Sequence, residues 1–468
     1  MRYHHSTAIM GTGMTDSTCT LAAVLAELGW KPEALARRLN GFAARHGRCE
    51  RMHAKTPCKW LRGDRPRSPW PALMAALVSD ELGRPITTAD LGWDGDDVEA
   101  VSAIRGLVLP WTAAGSLHAV RVVTDAGSMD RRILLTLLGA AACAPAHEWL
   151  IARPDAGVAR SSGSPLPVGV VDHLDDIAGR LRRMDDQIGS GTLLPLVRAH
   201  LRHVLGLLDQ RRYTDSVGRR LHATAAELMR LAGWSALEGG QHPQAQRYWV
   251  AALHAAHAAG DRALGANIVR SMSEQAEDLG QIRESVTLAE TARAGYPGAS
   301  PRVAAMLDLR AAEAYACDGA ATECRRALDA AFDRLGDTPG SSGEPDWCYW
   351  IDEAATHAYA GACYLRLEDW GRARQHLRAT LRLQDSSYAR DGARRHIDLA
   401  TTYLRQDQPE VDHAVSLASR AVETLTGEVD SARCVGHLAR LVGDFAPYRR
   451  RPAVRQVTEQ AAGLLTSH

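Results

Sequence analysis

Residues 273–292 read SEQAEDLGQIRESVTLAETA, and their spacing decides the fold. Two small residues, Ser273 and Ser285, stand twelve apart, and a third, Ala292, follows seven later. The same figure recurs along the chain. Gly233 with Ala245, Ala312 with Cys324, and Gly361 with Ala373 are also twelve apart, and a fifth copy, Ala400 to Ala414, has two extra residues. In each pair the first member falls on one helix and the second on the next. Large residues stand four beyond the second member at Trp249, Leu328 and Leu377, and small ones seven beyond at Ala252 and Ala331. Small residues at these points let paired helices approach closely, and the large ones fill the gap to the next pair. The first members are 40, 39, 49 and 39 apart. Five pairs are enough to bury a continuous core.

With Tyr315, Tyr364 and Tyr403 at the aromatic position, the pattern resembles the tetratricopeptide repeat (TPR). The period exceeds the family's roughly 34 residues, and the proline that usually closes each unit is mostly missing. The repeats cover residues 220–426, with further helices to the C-terminus. The expected fold is therefore all-α: a small N-terminal domain followed by a TPR-like α-solenoid. In such an array the first helix of each pair lines the concave side. Helical spacing then places Asn267, Arg270, Glu274, Arg310, Glu313, Tyr359, Arg394 and Asp398 on the inner wall, a surface suited to a peptide backbone or a polar small molecule.

Composition agrees with packed helices. Alanine is abundant and aromatic residues make up only 5%, which disfavours sheets, while 46% hydrophobic residues supply a sizeable core. The formal net charge is +0, so any basic function must be local. Only three of the 55 Lys+Arg are lysines, Lys31, Lys55 and Lys59, and all lie near the N-terminus. Residues 31–70 carry eleven basic residues against three acids, a balance of +8, and residues 71–100 reverse it with seven acids and one arginine. A basic patch on a neutral chain is the electrostatic footprint of phosphate binding.

Around that patch the sequence reads as short helices. Leu21, Val24, Leu25 and Leu28 form one apolar stripe ended by Gly29. Pro32 opens a second helix carrying Leu35, Ala36 and Leu39. In KTPCKWLRGDRPRSP, residues 55–69, Pro57 suits a first-turn position and Gly63 a stop. The helix PWPALMAALVSDELG follows, and TTADLGW closes the unit. Together these elements resemble the Cro/CI-type helix-turn-helix family, also called XRE. PEALARRLN matches the second helix, and residues 55–69 match the recognition helix, with Trp60 as the apolar anchor and Arg62-Gly63 as the family's Arg-Gly ending. The connection GFAARHGRCERMH is longer than the family's tight turn. The resemblance implies that Lys55, Thr56 and Lys59 face base edges of double-stranded DNA. Arg62, Arg65 and Arg67 would then grip phosphates, with Arg37 and Arg38 on the preceding helix.

The expected organisation is a disordered N-terminus over 1–19, the DNA-binding domain over 20–93, a linker with a buried apolar helix over 94–170, and the repeat domain over 171–468. Residues 129–146, MDRRILLTLLGAAACAPA, imitate a twin-arginine export signal, but such a signal is N-terminal. The run is too short to cross a bilayer and reads as a buried helix. Nine scattered cysteines without a CxxC pair suggest free thiols in a reducing cytoplasm. His46, Cys49, His53 and Cys58 match no zinc spacing, so no metal and no cofactor is expected. No phosphate loop, HExxH or nucleophile elbow marks an enzyme.

A helix-turn-helix followed by TPR-like repeats resembles actinomycete regulators of differentiation and antibiotic production and, more distantly, the peptide-pheromone sensors of Gram-positive bacteria. The resemblance implies a cytoplasmic, homodimeric transcription regulator whose repeat domain senses a peptide, small molecule or protein. The alternative is an adaptor that binds a protein such as a sigma or anti-sigma factor and retains a vestigial DNA-binding domain.

Overall fold

The computed structural model describes residues 21–45, 51–64, 66, 70–82, 86, 91, 93, 107, 109–125, 136–154, 157–188, 193–298, 300–336, 343–385, 388–427, 429 and 431–467. Its chain divides into two compact units, residues 1–100 and 101–468. Both are helical. The only regular strands among the described residues are two-residue segments.

In the first unit, α1 (Leu21–Glu27) buries Leu21, Val24 and Leu25, and the chain turns at Gly29 with φ +64°. Pro32 opens α2 (Pro32–Arg45), whose Leu35, Ala36, Leu39, Phe42 and Ala43 are buried at three- and four-residue spacing. The Asn40 side chain then holds the returning chain. It accepts a hydrogen bond from Met52 N and donates one to Met52 O, both at 2.8 Å. The turn α3 (Thr56–Trp60) has Pro57 in its first turn and ends where Gly63 takes φ +100°. Trp60 is buried edge-on against Trp93 at 5.5 Å, and α4 (Trp70–Leu82) adds Leu73, Met74, Leu77 and Val78 to the core.

The second unit is an α-solenoid. Four helices, α5 (Ala113–Asp125), α6 (Ala140–Ile151), α7 (Val168–Ile188) and α8 (Leu193–Gln210), precede five hairpins. The hairpins pair α9 (Asp215–Glu238) with α10 (His242–Ala259), α11 (Arg262–Asp278) with α12 (Ile282–Gly295), and α13 (Pro301–Cys317) with α14 (Ala321–Gly336). The last two pair α15 (Glu353–Arg366) with α16 (Trp370–Leu383), and α17 (Ala389–Arg405) with α18 (Val411–Gly427). Helices α19 (Ala432–Asp444) and α20 (Pro452–Ser467) close the array.

The small-residue pairs lie on the hairpin seams. A Cβ placed on Gly233 would come within 2.3 Å of the Trp249 ring, and one on Gly361 within 2.7 Å of Leu377. The Ser273 hydroxyl donates to Ser285 O at 2.8 Å, and Ala312, Cys324, Ala400 and Ala414 are fully buried.

The stretch expected as a linker over 94–170 is not a spacer where it is described. Helices α5 and α6 pack on the array, against α8 and α10 and against α12 respectively. Trp149, at the end of α6, is fully buried where Gly265 and Gly295 leave no Cβ; a Cβ there would come within 2.4 and 2.3 Å of its ring. Arg262 covers the ring at 3.9 Å and donates to Trp149 O at 2.9 Å. The Gly/Pro/Ser-rich segment after α6 is also fastened. Arg160 pairs with Tyr213, and Ser164–Pro165 forms a short parallel ladder with Arg211–Arg212. Its Gly, Pro and Ser content suggests a linker, but backbone pairing supplies the order. Arg131 and Arg132 lie outside the described residues, and Ala140–Ala146 begins α6.

Candidate functional site

The inner wall of the solenoid encloses a cavity of about 280 Å³. Helical periodicity builds it. Arg230, Trp234 and Glu238 stand four apart on α9, Arg270 and Glu274 on α11, and Arg390 and Arg394 on α17, so each set shares a face. Of the eight residues assigned to this wall from sequence, Arg270, Glu274, Arg310, Glu313, Tyr359 and Arg394 line the cavity. Asn267 and Asp398 stand behind it. Asn267 Oδ1 accepts from Arg270 Nε at 3.2 Å, and Asp398 accepts from Arg394 Nε at 3.2 Å.

Spacing along the repeats misses the elements that close the cavity. Helix α7 contributes Arg182, Asp185 and Asp186; α19 contributes Arg433; and the turn before α15 contributes Trp347, Tyr349 and Trp350. None of these belongs to a repeat, so the repeat register cannot locate them.

The floor is an ion-pair network. Glu277 accepts from both Arg310 and Arg366, and Glu313 lies 3.1 Å from Arg310 and 3.5 Å from Arg366. Glu274 bonds Arg433 at 2.6 Å and Arg270 at 3.2 Å, while Arg433 also meets Glu238 and Asp278. Burial alone would raise the carboxyl pKa of Glu274, but Arg433, Arg270 and Arg310 bring it down to about 2. Burial, with repulsion from Glu277 and Glu274, pushes Glu313 up instead. A second group joins Arg182 and Arg230 to Glu227, and Arg390 to Asp185 at 3.3 Å. Aromatic rings are set among these charges: Arg270 stands 5.4 Å from the Trp350 ring, and Arg390 and Arg433 each stand 5.7 Å from Trp234.

The residues expected at DNA belong to the first unit. Lys55, Lys59 and Arg62 are exposed and Thr56 is half-exposed. Among the described residues no carboxylate pairs with the two lysines or with Arg62. Arg37 is exposed too, but Arg38 is engaged: it stacks on Trp30 at 4.5 Å and pairs with Glu81 at 3.1 Å. Arg65 and Arg67 lie outside the described residues, as do His46 and Cys49. Helix α3 is only five residues long, so it presents little more than one turn of side chains.

Residues 21–94 match the family model of the SP15 N-terminal domain, which is not a Cro/CI-type family. No curated protein matches the chain. Among solved structures, the human IFIT1 dimer with m7Gppp-AAAA is similar at 12% identity and a TM-score of 0.37, over 96% of this chain and 91% of that one. A monomeric IFIT1 mutant with m7Gppp-AAAA gives 11% identity and a TM-score of 0.35, over 95% of this chain and 98% of the other. No described helix is long and apolar enough to cross a membrane.

Proposed function

We propose that the chain is a DNA-binding transcription regulator whose helical array takes a polar ligand into its cavity. The observation that carries this reading is the contrast on α3. Trp60 is anchored in the core, while Lys55, Lys59 and Arg62 stand exposed with no carboxylate partner among the described residues. Unpaired cations on a rigid turn are free to meet phosphates and base edges, and a dimer on two half-sites would supply the specificity that one short helix lacks. The ligand would act by binding two states of the protein unequally. The seven described cysteines are all free thiols, as a cytoplasmic regulator would have them.

Genome-wide mapping of DNA crosslinked to the chain tests this directly. Discrete sites are expected, and Lys55→Ala with Lys59→Ala should remove most of the enrichment. Enrichment of a co-purified protein with no DNA sites would replace the regulator with the adaptor.

A further inference from the structure

Helix α16, WGRARQHLRATLRL, carries four arginines and a histidine and no acid, on a chain whose formal charge is +0. Arg374, Arg378 and Arg382 follow at four-residue spacing, so they form one stripe, turned away from the buried Ala373, Leu377 and Thr380. Arg378 and Arg382 are exposed, Arg374 is half-buried, and none of them lines the cavity. The cavity arginines are paired with carboxylates, as Arg390 with Asp185 and Arg433 with Glu238. On α16 only Arg372 meets a carboxylate among the described residues, Asp369 at 3.7 Å. What holds two of the stripe's guanidiniums is neutral. Arg374 donates to Gln406 Oε1 and Arg378 to Tyr403 Oη, and both lie over the Tyr403 ring, at 5.1 and 5.6 Å. Tyr403 is itself buried and stacked with His413 at 4.9 Å. Glu410, which accepts from the Gln406 amide at 3.1 Å, also meets His413 at 3.7 Å. The neighbouring hairpin therefore fixes these arginines in place without neutralising them. A carboxylate at either partner position would have held them more strongly.

We propose that this stripe is a polyanion contact of the array itself, which grips the sugar–phosphate backbone of a nucleic acid independently of the first unit. It goes beyond the DNA-binding reading of α3, which requires no charge on the array. Forked guanidiniums match phosphate oxygens bidentately, and held in place they lose less freedom on binding. Four residues rise about 6 Å along a helix, so the stripe offers a cation at every turn to an evenly charged strand. An acidic protein or a membrane surface would want apolar anchors among the charges. The large exposed apolar residue of this helix, Leu383, lines the cavity instead. Contacts of this kind position a strand and do not read its sequence.

Fluorescence anisotropy of the full chain across a salt series tests the contact, with a mixed-sequence duplex, the matching single strand and polyglutamate as probes. The chain carrying Lys55→Ala with Lys59→Ala is the background, so that α3 contributes little. Binding of a nucleic acid should persist there. Adding Arg378→Gln with Arg382→Gln should make the duplex slope of log affinity against log salt shallower by about two, one for each phosphate contact. Gln375→Glu keeps every arginine and sets a carboxylate three residues before Arg378, where it pairs on the helix surface; it should make the slope shallower by about one. If the arginine variant melts at a lower temperature, Gln375→Glu decides alone. A slope that Gln375→Glu or a folded arginine variant leaves unchanged would overturn the proposal, as would tighter binding of polyglutamate than of either nucleic acid. Loss of all binding in the lysine background would also overturn it and leave the α3 reading standing. Undiminished binding there, removed by the arginine pair, would uphold the stripe and take the DNA contact away from α3.

Discussion

At Gly233 a missing Cβ makes room for a tryptophan, since a methyl group there would fall 2.3 Å from the Trp249 ring. Gly233→Ala should therefore overpack the first seam and cost about 1–3 kcal/mol in chemical unfolding. Gly436→Ala, at a helical position with open space, should instead stabilise by about 0.4–1 kcal/mol. The opposite signs separate close packing from helix propensity. A second residue-scale device is the contact between His357 and His376, whose Nδ1 atoms lie 2.8 Å apart. One must donate and the other accept, so the pair cannot be doubly protonated in place. Burial, and then His357, lower the His376 pKa from 6.5 to about 4. The unfolded chain thus takes up the proton first as pH falls, and the stability this pair contributes is complete above pH 6.5 and lost toward pH 4. His376→Phe should flatten the pH dependence of the unfolding midpoint across that window. These residues also show what sequence can reveal. The twelve-residue pairs were legible because steric needs at a helix seam repeat in every copy. Asp186 and Trp350 were not, because nothing periodic marks a residue used once.

At the scale of elements, α6 is the test of whether the segment before the repeats belongs to the array. Its Trp149 fills a slot made by two glycines and is covered by Arg262. Trp149→Ala should cost about 3–5 kcal/mol and raise amide exchange first across Ala140–Ile151. Unchanged exchange there would mean that the helix is held by something other than its tryptophan. The apolar run leading into this helix predicted burial, but its docking partner could not be read, because Gly265 and Gly295 resemble ordinary helical glycines until a ring is placed beside them. Helix α3 shows the converse. Its proline start and glycine stop were plain in KTPCKWLRG, whereas the bidentate hold of Asn40 on Met52, which brings the long connection back to it, involves residues twelve apart with no recognisable motif.

Across the whole molecule, a neutral chain concentrates a balance of +8 in residues 31–70 and lines the cavity of its second unit with ion-paired charges. Helical periodicity made the array and its inner wall legible. Cavity closure by α7 and α19 was not, since such contacts join residues far apart in sequence, as Arg390 with Asp185 and Arg433 with Glu238. The central claim is that the basic face of the first unit grips nucleic acid, and the salt dependence of duplex binding by the full chain, followed by fluorescence anisotropy, tests it most directly. Each phosphate neutralised contributes about −0.9 to the slope of log affinity against log salt. Three or more contacts predict a slope of about −3 or steeper, made shallower by about two on Lys55→Ala with Lys59→Ala. A slope near zero, or one that the double substitution leaves unchanged, would contradict the account.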